Sequence, residues 1–183
     1  MSGHGHVDPS NRKAAILIAI FAACLALAET GAKSAQTQSL SSNIEASNLW
    51  SFFQAKTIRQ TTLRTASESL EMTMGAEALP EAVKKKLDGW KAAIARWESE
   101  PETNEGRKEL MARAKAAEAV RDRSTAAYHH FEYSSAAFQL AIVLMSAMVV
   151  TSVAFLTWMS LGIAAVGAAF GLVGFFAPLA FHL

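Results

Sequence analysis

The chain has 183 residues, 51% of them apolar, with 17 Lys and Arg against 16 Asp and Glu. A net charge of +1 offers no basic field for nucleic acid, and the single cysteine, Cys24, excludes a disulfide framework or a cysteine-built zinc site. No Lys, Arg, Asp or Glu lies beyond Glu132, which excludes a water-soluble enzyme, because a soluble domain needs charged surface along its whole length.

Residues 1–13 read as a polar leader. Once Met1 is removed, Ser2-Gly3-His4 has the amine, two amides and imidazole of a square-planar Cu(II) or Ni(II) site, with His6 as a further ligand. The reading adopted is a plain leader with no metal and no cofactor.

The first apolar run, Ala14–Ala28, is marginal for spanning by itself; the polarity beyond it is mild and Lys33 can snorkel, so 14–33 is read as a slightly tilted transmembrane helix. A removable signal peptide competes with this reading, since Arg12-Lys13 precede the run and Ala26-Leu27-Ala28 fits an A-x-A cleavage pattern. Spacing favours a retained helix. Ala15, Ala19, Ala22, Ala26, Glu29 and Lys33 recur at intervals of four and three, so they share one stripe that ends in a favourable i,i+4 acid–base pair.

Residues 34–133 carry fourteen basic and fourteen acidic side chains and form a solvated helical stalk. Its pieces are helices at 34–75, 81–98 and 105–133. Gly75 stops the first, Pro80 opens the second, and Glu100-Pro101-Glu102-Thr103-Asn104 separates the second from the third. In the middle helix Val83, Leu87, Trp90, Ile94 and Trp97 make a packing seam at coiled-coil spacing. In the first helix the apolar stripe is read through Phe52, Ala55, Ile58 or Arg59, Leu63, Ala66, Leu70 and Met74.

The closing apolar run is too long for one span of a hydrocarbon core about 30 Å thick. It is divided into helices at 134–157 and 161–181, with the turn placed at Thr157-Trp158-Met159-Ser160-Leu161-Gly162. Ser160, Ala164, Gly167, Gly171 and Gly174 line the last helix at helical spacing, a small-residue seam of the kind that lets membrane helices approach closely. The expected fold is therefore all-α and integral to a membrane: three transmembrane helices, with a long antiparallel helical-hairpin stalk between the first two.

Several stretches carry a resemblance. They are Glu29-Thr30-Gly31-Ala32-Lys33, Asn43-Ile44-Glu45-Ala46-Ser47-Asn48-Leu49-Trp50, Gln54-Ala55-Lys56-Thr57-Ile58-Arg59-Gln60, Gly106-Arg107-Lys108-Glu109-Leu110 and Tyr128-His129-His130-Phe131-Glu132. Together they resemble an uncharacterised bacterial family of small three-span inner-membrane proteins, labelled only as a domain of unknown function. The resemblance implies a multi-pass protein of the bacterial inner membrane and brings no activity with it.

Candidate sites come from the residues themselves. Glu29, Lys33, His130 and Glu132 fall at one depth at the membrane boundary, where a cluster is expected, with Lys33 pairing Glu132. Gln54, Lys56, Arg59 and Gln60 are a possible interaction surface. No nucleophile elbow, phosphate loop or metalloprotease motif occurs, so no catalytic residue is assigned. The function expected is a non-enzymatic scaffold or assembly protein of the lipid bilayer, a homo-oligomer that self-associates through its small-residue seams. An accessory subunit of a larger membrane complex, respiratory or metalloenzyme, is the alternative, and a proton or ion pathway the third.

Overall fold

The computed structural model describes residues 9–75 and 79–180, with side chains from Arg12 onward. Four helices account for the regular structure among these residues: α1 (Pro9–Met74), α2 (Glu81–Glu98), α3 (Arg107–Thr151) and α4 (Phe155–Phe176). Three of them, α1, α3 and α4, are long and apolar enough to cross a membrane. The chain divides into two compact units, the first made of the segments up to Leu40 and from Arg121 onward, the second of Ser41–Val120. Helices α1 and α3 contribute to both.

The breaks between helices follow from backbone chemistry. Gly75 takes φ +74, which only glycine adopts without strain, and its N–H donates to the Glu71 carbonyl to close α1. Pro80 caps α2, where a missing N–H costs nothing. Before α3, Asn104 adopts a left-handed φ of 57. The Glu109 carboxylate, in the first turn of α3, then accepts from the Ser99 hydroxyl at 2.6 Å and the Glu100 N–H at 3.2 Å. That carboxylate ties the α2–α3 connection to the helix it precedes.

The last turn lies earlier than the sequence suggested. Helix α3 ends at Thr151 and α4 begins at Phe155, so the expected break at 157–162 falls inside α4. Ser152 makes the turn with a left-handed φ of 57, while its N–H still donates to the Met148 carbonyl. Gly162, at the end of the expected turn, sits in helix with open space around it. A glycine in an otherwise apolar helix is tolerated there because neighbouring backbone groups stay bonded within the helix.

In the first unit the core joins Ala14 and Phe21 of α1, Phe138, Ala141 and Met145 of α3, and Ala164 of α4. The α4 seam is buried against α3. Ser160 donates to the Ala141 carbonyl at 2.7 Å. A Cβ added at Gly167 would lie 3.0 Å from the Ala137 Cβ, and one at Gly174 would lie 3.1 Å from the Cβ of His130. The small residues expected to join two copies of the chain thus join two helices of one copy.

The alanine stripe of α1 is displaced in the opposite sense. Ala15, Ala19, Ala22 and Ala26 are exposed, and the packed positions are Ala14, Phe21 and Ala28 instead. The inner face of α1 keeps a strict seven-residue repeat through the helix. Ala14, Phe21, Ala28, Ser42, Leu49 and Lys56 are all buried, and Ala35, Leu63 and Leu70 are partly so. A repeat of seven marks coiled-coil packing, in which one seam stays turned toward its partners.

In the second unit Ala46 and Leu49 of α1 meet Leu110, Ala114 and Ala117 of α3. The Trp50 indole N–H donates to Glu118 at 2.9 Å. The α2 seam is the covered side of that helix: Leu87 is buried, and Val83, Trp90, Ile94 and Trp97 are partly buried. The stripe read through Phe52 and Ile58 is a correction, because both side chains are exposed and Phe53 packs on the core in their place.

The α3–α4 contact has a direct test. Gly167→Leu should overfill it and lower thermal stability in detergent, at a cost of about 1–3 kcal/mol. Val166→Leu, on the exposed face of α4, should leave the unfolding midpoint unchanged.

Candidate functional site

Glu29 and Lys33 of α1 and Tyr128 and Glu132 of α3 line one groove of about 510 Å³ in the first unit, together with Gln36 and Gln139. The groove sits where the apolar run of α1 gives way to charge. Three of the four residues expected to cluster, Glu29, Lys33 and Glu132, are brought together, yet the expected pair is not made: among the described residues no ion pair joins Lys33 to Glu132 or to Glu29. Glu132 is held along its own helix instead. It accepts from the Tyr128 hydroxyl one turn away, and its other oxygen lies 3.5 Å from Nδ1 of His129.

His130 is not part of this cluster. It points to the other side of α3, where it is 2% exposed and stacks on Phe170. Its Nε2 lies 3.1 Å from the Pro178 carbonyl. A carbonyl can only accept, so Nε2 carries the proton. Adjacent residues on a helix point about 100° apart, which is why His129 faces Glu132 while His130 faces the end of α4.

A second polar assembly lies inside the other unit. Arg107 Nη1 donates to Gln60 Oε1 and to Glu98 Oε2, both at 2.7 Å, and Nε donates to the Thr57 hydroxyl at 2.9 Å. The guanidinium also lies over the Phe53 ring. One planar fork thereby links α1, α2 and the start of α3. Gln60, itself buried, returns a hydrogen bond to Glu98 at 3.2 Å. The Gln60 hydrogen bond, then the Arg107 charge, hold the Glu98 carboxyl below its ordinary value, against the opposing effect of burial. Beside it the buried Lys56 amine sits 3.7 Å from Glu100 and 3.8 Å from Glu105. Of the four residues read as an interaction surface, Lys56 and Gln60 face inward and Gln54 and Arg59 outward.

This arrangement can hold three helix segments together. It contains no nucleophile beside a base, and no group of three His, Cys, Asp or Glu placed to hold a metal occurs among the described residues. His4 and His6, the metal candidates of the leader, lie outside the described residues.

The family described as Domain of unknown function (DUF4337) matches residues 10–177. The chain belongs to this family. No curated protein and no solved structure matches it. The matched span takes in the boundary groove, the Arg107 assembly and the α3–α4 seam alike.

The Arg107 assembly was not recognised as such in the sequence, although Lys56 and Gln60 were singled out. The available signal is their spacing: Lys56 and Gln60 fall at heptad positions with Leu49, Phe53, Leu63 and Leu70, on the covered face of α1 whose other buried residues are apolar or the small Ser42 and Ser67. A Lys and a Gln on such a face require partners from another element.

Removing the fork should be costly. Arg107→Ala would strip Gln60 Oε1 of its donor and leave Glu98 with Gln60 alone, and should destabilise the folded chain by about 1–3 kcal/mol. Arg107→Lys should recover little of it, since an ammonium cannot bridge three acceptors in a plane. Glu98 gives the pH dependence. Its lowered folded value means that its contribution is present above the ordinary value of 4.5 and is lost as pH falls through the folded value. Thermal melts between neutral and acidic pH should therefore show less acid destabilisation in Glu98→Gln than in the parent. The difference should be small, because the Glu98 side chain is 39% exposed.

Proposed function

We propose that this DUF4337 chain is a non-enzymatic assembly protein of the bacterial inner membrane, anchored by three spans and self-associating through the outer face of α1. Two observations support the membrane part. Three helices have the length and hydropathy to cross a bilayer. The first unit also turns large apolar side chains outward: Ile16, Leu140, Val143, Leu172 and Phe175 are exposed, while Ser134, Ser160 and His130 are buried beside its apolar core. Large apolar side chains on the outside, with polar ones enclosed, suit a surrounding of lipid.

The outer face of α1 carries the reading of self-association. From Ile16, positions taken in alternating steps of four and three reach Met72 without meeting a charged residue, and all but Ala55 are exposed. A face turned to water ordinarily gathers charge. In the second unit this one instead displays Ile44, Ile58 and Met72, at 61%, 66% and 86% exposure and fourteen residues apart. Asn48 occupies a seam position, the kind of buried polar residue that fixes register in parallel coiled coils. Copies inserted in one membrane share an orientation, so their α1 helices run parallel. In register, Gln54 flanks Arg59 of the second copy and Leu40 flanks its Glu45, so no like charges meet. The small-residue seam of α4 is already occupied by α3 and is not offered for this role.

Cysteine cross-linking in native membranes tests the proposal. In a Cys24→Ser background, Ile58→Cys should give a disulfide-linked dimer on mild oxidation, and Arg64→Cys, off the seam, should not. Ile58→Glu should lower the dimer fraction at least about tenfold by placing two like charges together. A monomer under every condition would overturn self-association. Co-purification of other membrane subunits in fixed ratio would favour the accessory-subunit reading.

A further inference from the structure

We propose that the boundary groove between α1 and α3 binds the headgroup of a phospholipid that carries both a phosphate and a primary ammonium, as in an ethanolamine lipid. The inference rests on the bilayer placement proposed above and does not depend on self-association. Its starting point is that Glu29, Lys33 and Glu132 line one groove of about 510 Å³ without pairing to one another. That volume is within the range of small-molecule sites. The uncharged polar groups around them are the Gln36 and Gln139 amides, together with the Ser135 hydroxyl.

Depth argues for a lipid. On α1 the apolar run ends at Ala28, one residue before Glu29, and on α3 the last charge is Glu132. The groove therefore opens at the level where hydrocarbon gives way to headgroups. Its charge selects among them. One ammonium stands against two carboxylates, so a headgroup with net negative charge would meet repulsion. A zwitterion can place its phosphate on Lys33 and its cation between Glu29 and Glu132. The cation must also be able to donate. A primary ammonium offers three N–H groups to carboxylates, whereas the quaternary ammonium of choline has none. The Tyr128 hydroxyl donates to one Glu132 oxygen and His129 Nδ1 lies 3.5 Å from the other, which holds the carboxylate in place and still leaves it lone pairs to accept with.

The test uses the full chain in nanodiscs of phosphatidylcholine, to which phosphatidylethanolamine or phosphatidylglycerol is added. Retained lipid is read by native mass spectrometry and stability by thermal melting. Phosphatidylethanolamine should be retained about tenfold over either of the others, the scale of one charge-assisted hydrogen bond, and should raise the melting point. Glu29→Gln, Glu132→Gln and Lys33→Gln should each reduce that preference several-fold, with helix content unchanged by circular dichroism, since all three side chains are exposed. Soluble phosphoethanolamine distinguishes the source of the ligand. Competition by it would support the site while showing that the acyl chains are dispensable, and its failure to compete would support a lipid held by headgroup and chains together. Equal retention of phosphatidylcholine, preference for phosphatidylglycerol, or indifference to all three substitutions would overturn the proposal. A chain that forms the Ile58→Cys dimer yet shows no lipid preference would overturn this inference alone. A chain that does not insert into bilayers would overturn the membrane reading beneath it.

Discussion

The inner seam of α1 is the constraint on which the rest of the chain depends. One helix of 66 residues has to keep the same face inward while its own composition changes from apolar to charged. A seven-residue repeat achieves this geometrically, and the composition of the seam changes along it to suit each setting. In the apolar segment it is Ala14, Phe21 and Ala28. Further on it becomes Ser42, Leu49 and Lys56, and the buried amine then requires carboxylates from the α2–α3 connection. Position is fixed by the repeat, and chemistry follows position.

This division explains what could and could not be read from the residues. Helix content, the stops at Gly75 and Pro80, and the α2 face through Leu87 all depend on local backbone chemistry, and they stand where spacing and turn residues put them. The direction in which α1 faces does not depend on local chemistry. In its apolar part every face is apolar, so nothing in composition distinguishes Ala14 from Ala15. In its polar part the inner face contains Lys56 and Gln60 while the outer face contains Ile58, which reverses the usual rule. The turn after α3 was displaced for a similar reason. Ser152 gives a weaker signal than Gly162, yet it is Ser152 that takes the left-handed φ.

The candidate sites follow the same pattern. Glu29, Lys33 and Glu132 are brought together because two helices leave the apolar region at one level, a matter of counting residues. Whether they bond is a matter of side-chain reach, and Tyr128, one turn away on the same helix, reaches Glu132 more easily than Lys33 does across the groove. His130 shows how little adjacency in sequence implies on a helix. Its neighbour His129 faces the carboxylate, while His130 is enclosed against Phe170 and the Pro178 carbonyl.

The turn between α3 and α4 has a consequence for biogenesis. Ser152-Val153-Ala154 is short, and neither it nor the two helices beside it carries a charge after Glu132. Moving such a turn through hydrocarbon costs little compared with carrying a charged loop across. In the bilayer placement proposed above, the close packing of α4 on α3 at Ser160, Gly167 and Gly174 would let the two helices associate as they insert. The pair can then enter the bilayer as one hairpin, without a positively charged loop to orient it. In that placement its direction would be inherited from the charged residues before it, the last of them Glu132 within α3, so the orientation of the pair would be set before its apolar parts have been synthesised.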